Sequence, residues 1–370
     1  MSERIPLARP ELGAREEELV AAVLRSGRLS LGPVGERFER ELAAWLGVDD
    51  AVAVSSGTTA LHLGVRALGW GDGDEVLTSP FSFVASANCL LYEGARPVFC
   101  DVDPVTLDLD PAAVEAAVGE RSAGILPVHI FGFPAAMPEL EAIAARRGLG
   151  ILEDACEALG AVDSEGRKVG ARGNLATFAF YANKQLTTGE GGMIVPSDPA
   201  VAARLRSERN QGRAPDMGWL DHGGLGFNYR LSDIAAAIGV AQMERLDAML
   251  AARDALAARY ESGLAGVEGV KTLPGSLGPE RRSWFVYVVR LADEVDRDAT
   301  IASLAEQGIA SKAYLPCIHL FPHLREFGYG EGQFPVAEAA AAHSLALPFF
   351  PAMTESQVAR VCESLAGSIR

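Results

Sequence analysis

Apolar residues in this chain fall into two recurring patterns. Short unbroken runs, "AVAVSS", "EVLTS", "RPVFCDVD", "AGILPVHIFG" and "GLGILEDA", read as buried strands. Between them, apolar residues recur every three to four positions, as in "GPVGERFERELAAWLG", where Phe38, Leu42 and Trp45 to Leu46 share a face. "GTTALHLGVRALG", "PAAVEAAV" and "PELEAIAARRG" continue that helical pattern, which begins near Glu16. Alternating strand and helix predicts a mostly parallel sheet with helices on both faces. In such a sheet ligands bind beyond the carboxyl ends of the strands.

The pattern changes after Ser232, a candidate helix cap. "DIAAAIGVAQMERLDAMLAARDALAARYESGL" reads as one long helix or two in series, bridging to a second region. There "RSWFVYVVRL" reads as a strand, "DATIASLAEQGI" as a helix, and "VAEAAAAHSLALP" as a helix leading into a short strand. The expected class is α/β: a large domain, residues 1–245 with an N-terminal arm, and a smaller α+β domain, residues 246–370. No internal repeat or low-complexity linker interrupts them.

Composition narrows the partners. A formal charge of −16 and a pI near 4.9 argue against nucleic acid or an anionic membrane surface, because those partners need a basic face. The charged N-terminus "MSERIPLARPELGAREEE" shows no signal peptide or membrane span, so a cytoplasmic location is expected. Cys89, Cys100, Cys156, Cys317 and Cys362 are odd in number and scattered, without a C-x-x-C pair, which predicts reduced thiols and no metal site. His129 reads as a core histidine, and His323 and His343 have no ligand spacing.

The chemistry concentrates in four places. In "TFAFYANKQLTTGEGGMIV" an apolar run, Thr177 to Tyr181, precedes Lys184, and a second run, Met193 to Val195, follows. The chain has four lysines, Lys168, Lys184, Lys271 and Lys312, against many arginines, and lysine is the cation that can lose its proton and attack a carbonyl. "SSGTTA" joins a strand to a helix, so Ser56, Gly57 and Thr58 form either a phosphate cradle or ordinary caps. No G-K-[ST] follows, and the glycines of "GWGDGDE" follow a helix, so neither a Walker nor a dinucleotide motif is present. Asp154 ends the strand of "GILEDACEALGA", where a buried carboxylate needs a cation or donors, or caps the following turn. Phe81 and Phe83 alternate at a strand end, for core packing or for stacking on a flat ring. A cradle, a buried aspartate, an aromatic and an isolated lysine, each at its own strand end, are together what pyridoxal 5′-phosphate requires.

At this point the sequence resembles the DegT/StrS group of sugar-nucleotide aminotransferases, of aspartate-aminotransferase fold type I. "SSGTTALHL", "GDEVLTSPFSFVASAN", "GARPVFCDVDPVTLDLDP", "PVHIFG", "LEDACEALGA", "FAFYANKQLTTGEGG", "GFNYRLSDIAAAIGVAQMERLD", "YLPCIHL" and "FPVAE" are similar to the family's blocks, in the family's order, over essentially the whole chain. The resemblance implies that Lys184 attaches the cofactor and carries protons, and that Asp154 partners the pyridine nitrogen. It implies Phe83 stacked on the ring with Ser86 beside it, Gly57 and Thr58 on the phosphate, and Asn228 reaching the phosphate of a neighbouring subunit's site in a homodimer. Two departures stand out: Ala179 where many relatives have serine, and Glu157 where many have glutamine, an acid able to share a proton with the cofactor. Dehydrating members replace the lysine with histidine, so Lys184 favours transamination over the dehydratase or lyase reading, and the intact site speaks against a noncatalytic regulatory protein. The implied cycle takes an amine from L-glutamate through pyridoxamine 5′-phosphate to a nucleotide-linked keto sugar. "NKQLTTGEGG" is more similar to enzymes that aminate C4 of 4-keto-6-deoxy sugars than to those acting on C3. For the sugar nucleotide, Arg213 and Arg230 are the candidate cations, preferred over Arg204 and Arg206 on a helix face. Tyr314 and His319 resemble residues lining the sugar pocket.

Overall fold

The computed structural model describes residues 4–214 and 221–369. Among these residues the first set of apolar runs becomes β1 (Val52–Val54), β2 (Glu75–Thr78), β3 (Arg96–Phe99), β4 (Ser122–Leu126), β5 (Gly150–Asp154), β6 (Leu175–Ala179) and β7 (Gly192–Val195). They form a seven-stranded sheet in the order β1, β7, β6, β5, β4, β2, β3. β2 pairs in parallel with β3 and β4, β4 with β5, and β5 with β6. β7 runs antiparallel to both neighbours, β1 and β6. The reason is connection length: the turn from β6 to β7 contains no crossover helix, so the chain must return in the opposite direction.

Helices α1 (Ala14–Ser26), α2 (Pro33–Leu46), α3 (Gly57–Leu68), α4 (Ala85–Leu91), α5 (Pro111–Ala117), α6 (Met137–Arg147) and α7 (Pro199–Glu208) supply the covering layers. The strands are buried on both faces, which is why they read as unbroken apolar runs rather than alternating ones. In β7, Met193 and Val195 pack with Phe38, Phe178 and Val240, whereas Ile194 packs with Leu61 and Leu205 on the opposite side.

The long helical stretch divides into α8 (Asp233–Met243) and α9 (Leu246–Leu264), with a non-helical Arg245 between them. Ser232 caps α8: its hydroxyl accepts the Ala235 N–H at 3.2 Å. The remainder contains β8 (Val270–Thr272), a hairpin of β9 (Ser276–Leu277) and β10 (Glu280–Arg281), β11 (Tyr287–Leu291), α10 (Arg297–Glu306), β12 (Lys312–Ala313), α11 (Pro322–Arg325), α12 (Pro335–His343), β13 (Ser344–Leu347) and α13 (Glu355–Ser368). A four-stranded antiparallel sheet, ordered β12, β13, β11, β8, organises this part. The break between α8 and α9 coincides with the division at 245/246 that we propose as the domain limit. The N-terminal arm crosses that division. Ile5 exchanges backbone hydrogen bonds with Gly308 and Ala310 and is fully buried beside Tyr260, Tyr287 and Leu304.

Candidate active site

β6 ends at Ala179, and the chain then folds back on itself: Phe180 N–H donates to Gly191 O at 2.9 Å, and Lys184 N–H to Tyr181 O at 3.0 Å. This loop delivers Lys184 into a cavity of about 480 Å³ at the carboxyl ends of the parallel strands. Lys184 Nζ lies 3.6 Å from Glu157 Oε1 and 3.9 Å from the centre of the Phe285 ring. The amine therefore sits between an acid and an aromatic face.

Asp154 lines the same cavity at the end of β5 and is only 5% exposed. Its Oδ2 accepts the Ser86 hydroxyl at 2.7 Å and its Oδ1 the Cys156 N–H at 3.1 Å, while Ser82 and Ser86 share a hydroxyl contact of 2.7 Å. Two neutral donors hold the carboxylate, and none of the ion pairs among the described residues involves it. A buried anion so placed is stabilised by a cationic ligand atom.

Ser56, Gly57 and Thr58 also line the cavity. Ser56 caps α3 by accepting the Thr59 N–H at 3.1 Å, and helix geometry leaves the first-turn N–H groups without carbonyl partners inside the helix. Those groups and the positive end of the helix form an anion site. Glycine at 57 is required by close approach: a Cβ there would lie 2.6 Å from Ala179 Cβ and 3.0 Å from Cys156 Sγ. The side chain at 179 thus faces the helix start. Phe83, at the cavity wall, keeps 61% of its surface exposed, which leaves its ring available to a planar ligand, whereas Phe81 is fully buried against Phe131.

Glu157, 7% exposed, accepts the Phe131 N–H on Oε2 at 3.0 Å while Oε1 faces Lys184. Burial raises its proton affinity above that of an ordinary carboxyl, and Lys184 and the Phe131 N–H oppose the shift. Tyr314 lines the same cavity, with its ring 5.7 Å from that of Phe131; burial, then Glu157, pushes its phenol upward. The site's groups are thus brought together from β5, β6, α3, α4 and the C-terminal part.

Four expected site residues lie elsewhere in the chain's own fold. Asn228 is exposed, bridges to Asn210 and does not line this cavity. Arg213 and Arg230 line a second cavity of about 450 Å³ with Glu39, Asp50 and Arg206, and Arg230 donates to Asn210 Oδ1 at 3.0 Å. His319 is fully buried, its ring edge-on to Phe334 at 4.8 Å and Nε2 3.4 Å from Glu338, and it does not line the cavity. Burial lowers its proton affinity. His129 is, as expected, a core histidine: Nδ1 accepts the Ala135 N–H at 3.0 Å and Nε2 lies 3.2 Å from Glu153 Oε2. Cavity residues to which sequence reasoning assigned no site role include Cys156, Asn183, Glu190 and Phe285. The first three lie within motifs already recognised; Phe285, near the start of the apolar run that leads into β11, carries no local signal.

The residues present suit pyridoxal 5′-phosphate. Lys184 offers the amine, Asp154 a buried anion for a protonated ring nitrogen, the first turn of α3 a phosphate site and Phe83 a stacking face. Among the described residues no cluster of three or more His, Cys, Asp or Glu side chains is placed to hold a metal ion, and no helix is long and apolar enough to cross a membrane.

Comparison with known proteins gives the family. Residues 10–366 match the profile of the DegT/DnrJ/EryC1/StrS aminotransferase family. GDP-perosamine synthase of Caulobacter vibrioides is 39% identical over 366 residues, covering 98% of this chain and 97% of that protein. The crystal structure of DesV from S. venezuelae superposes with a TM-score of 0.94 at 37% identity, covering 99% of this chain and 98% of the other. A Streptococcus pneumoniae protein described as a sugar aminotransferase, Spr1654, in its PLP form, gives a TM-score of 0.94 at 25% identity, over 99% and 98% of the two chains.

Proposed function

Because the chain belongs to the DegT/DnrJ/EryC1/StrS aminotransferase family, we propose that it moves an amino group from L-glutamate to a keto sugar attached to a nucleoside diphosphate, at C4 of a 4-keto-6-deoxy sugar. The observation that carries this reading is the convergence of the Lys184 amine, the Asp154 carboxylate and the first turn of α3 on one cavity. Pyridoxal 5′-phosphate, when bound, supplies an electron sink and a carbonyl that accepts and later gives up the amine. Every other task falls to side chains of this chain. Asp154, fixed by Ser86 and the Cys156 N–H, holds a proton at the ring nitrogen. Lys184 Nζ removes and returns the proton at the carbon being aminated. Glu157 faces that amine and can take up a proton as Lys184 releases one. Phe83 offers its exposed ring face to the cofactor ring, and Phe285 and Tyr314, which line the same cavity, restrict water there.

The acidic chain repels a diphosphate at long range, so local cations must compensate. We assign this task to Arg213 and Arg230, and the phosphate contact to Asn228, which acts across a homodimer and lies away from its own chain's cavity. Tyr314 is the proposed contact to the sugar. Nucleic acid and membrane are not proposed partners, and the cytoplasm is the proposed location. The test is incubation with L-glutamate and a panel of dTDP-, UDP- and GDP-linked 3-keto and 4-keto sugars, read by product mass. Amination of 4-keto-6-deoxy substrates is expected. Conversion of 3-keto substrates alone would overturn the C4 assignment, and no amination of any would overturn the sugar-nucleotide reading.

A further inference from the structure

Arg253, on α9, is 5% exposed, and burial lowers its proton affinity to about 10, so it stays charged at neutral pH. A buried cation ordinarily faces a carboxylate. Here the guanidinium meets backbone carbonyls instead: Nη2 donates to Lys184 O at 3.2 Å, and Nη1 to Trp284 O and Phe285 O, each at 3.3 Å. Among the described residues no ion pair involves it, and Glu11 attracts it at longer range. The other face packs over the Phe349 ring at 5.7 Å.

The carbonyls it joins belong to two separate parts of the site. Lys184 follows β6 in the large sheet, whereas Trp284 and Phe285 precede β11 in the C-terminal sheet. The same two segments are tied from the other side by Gln185, whose Nε2 donates to Glu157 O at 2.5 Å and to Ser283 O at 3.2 Å. The result of this bracing is visible at the reacting atom: the Phe285 ring stands 3.9 Å from Lys184 Nζ. A ring face at that distance attracts a cation.

We infer that Arg253 is a positioning residue for the site's amine: by holding the Lys184, Trp284 and Phe285 carbonyls on one planar guanidinium, it sets Lys184 Nζ against the Phe285 ring. A planar fork spans several acceptors at once, which a lysine ammonium on a flexible stem does not. Its consequence for turnover rests on Lys184 being the reacting amine, but its consequence for the amine itself does not. Glu157 and Phe285 touch Nζ, and Cys156, Asp154, Tyr314 and Glu190 line the same cavity. Arg253→Lys removes the planar fork that joins the three carbonyls.

The experiment compares wild type, Arg253→Lys, Phe285→Leu and the double variant, each as the full chain stripped of cofactor. Amine labelling at pH 8 is quantified by peptide mapping, with exposed Lys271 and Lys312 as internal references. Relative to those two lysines, Lys184 labelling should rise about three- to tenfold in each single variant as its packing against the Phe285 ring loosens. In the double variant the rise should match one single change, not their product. With cofactor restored, Arg253→Lys should lower kcat in both half-reactions about tenfold with little change in KM. Unchanged labelling in Arg253→Lys, even with a lower melting temperature, would reduce the residue to a structural one and overturn the inference. Multiplicative effects in the double variant, or no effect of Phe285→Leu, would also overturn it. Normal labelling responses with no turnover in any protein would instead count against the proposed reaction alone.

Discussion

Gly57→Ala puts the anion site to a quantitative test, because two opposing effects meet at this residue. Alanine is the better helix former, by about 1 kcal/mol in a helix interior, and less at a first position. Against this, the new Cβ would lie 2.6 Å from Ala179 Cβ, 3.0 Å from Cys156 Sγ and 3.4 Å from Ala179 Cα. The shortest contact cannot be relieved by a rotamer change, because Ala179 has only its Cβ and belongs to β6. Overpacking of this kind costs about 1 to 3 kcal/mol, so the clash prevails and α3 must move away from β6. The displacement carries the first-turn N–H groups away from Lys184 and Asp154. A shift of about 1 Å should weaken pyridoxal 5′-phosphate binding at least tenfold, or about 1.4 kcal/mol. Ala179→Gly removes the shortest contact, so the double variant should recover most of the lost affinity, even though glycine in β6 itself costs about 0.5 to 1 kcal/mol of stability. Absorbance titration of the four apo proteins with pyridoxal 5′-phosphate measures this directly. Wild-type affinity in Gly57→Ala, together with a gain in stability, would refute the reasoning.

Two further predictions follow from the same site. Burial raises the Glu157 carboxyl above its ordinary value of 4.5, so the folded chain binds that proton more tightly than the unfolded one, and stability is lost as pH rises from 4.5 through the raised value. Glu157→Gln should therefore be more stable than wild type at pH 8, with the advantage shrinking towards pH 4 in denaturant titrations; an equal advantage at both would contradict it. If Asn228 completes the partner's site, mixing Lys184→Ala with Asn228→Ala subunits should restore activity to about a quarter of sites in a statistical mixture of dimers. Lys184→Ala mixed with Asp154→Ala should restore none, and inactive heterodimers in the first mixture would remove Asn228 from the site.

How much of this was legible before the structure depended on whether the cause was local. β5 and Asp154 at its end follow from an apolar run and its polar terminator, and Ser56 and Ser232 cap helices as their positions predict. The expected strand at Thr177 to Tyr181 lies at Leu175–Ala179, displaced because Phe180 and Tyr181 already belong to the turn that folds back towards Gly191. The antiparallel direction of β7 left no mark in its composition, since a strand buried on both faces reads the same either way. His319 shows the limit of a motif: its neighbours Phe99 and Phe334 come from distant segments, and their packing, absent from local sequence, seals the ring away from the cavity. Phe285 and Arg253 were illegible for the same reason. Each looks like an ordinary core or helix residue until the C-terminal part folds against the turn that carries Lys184.

The central claim is that Lys184 is the amine that holds pyridoxal 5′-phosphate in an aminotransferase site. It is tested most directly by borohydride reduction of the cofactor-loaded protein, followed by peptide mapping of all four lysines. Three of them are poorly placed for this chemistry: Lys168 packs over the Trp45 ring at 3.8 Å and donates to the Trp45 carbonyl, while Lys271 and Lys312 are exposed on the C-terminal sheet. One modified peptide is expected, carrying the reduced cofactor on Lys184, with loss of that label when L-glutamate is added before the borohydride. A label on Lys168, Lys271 or Lys312, with Lys184 unmodified, would contradict it.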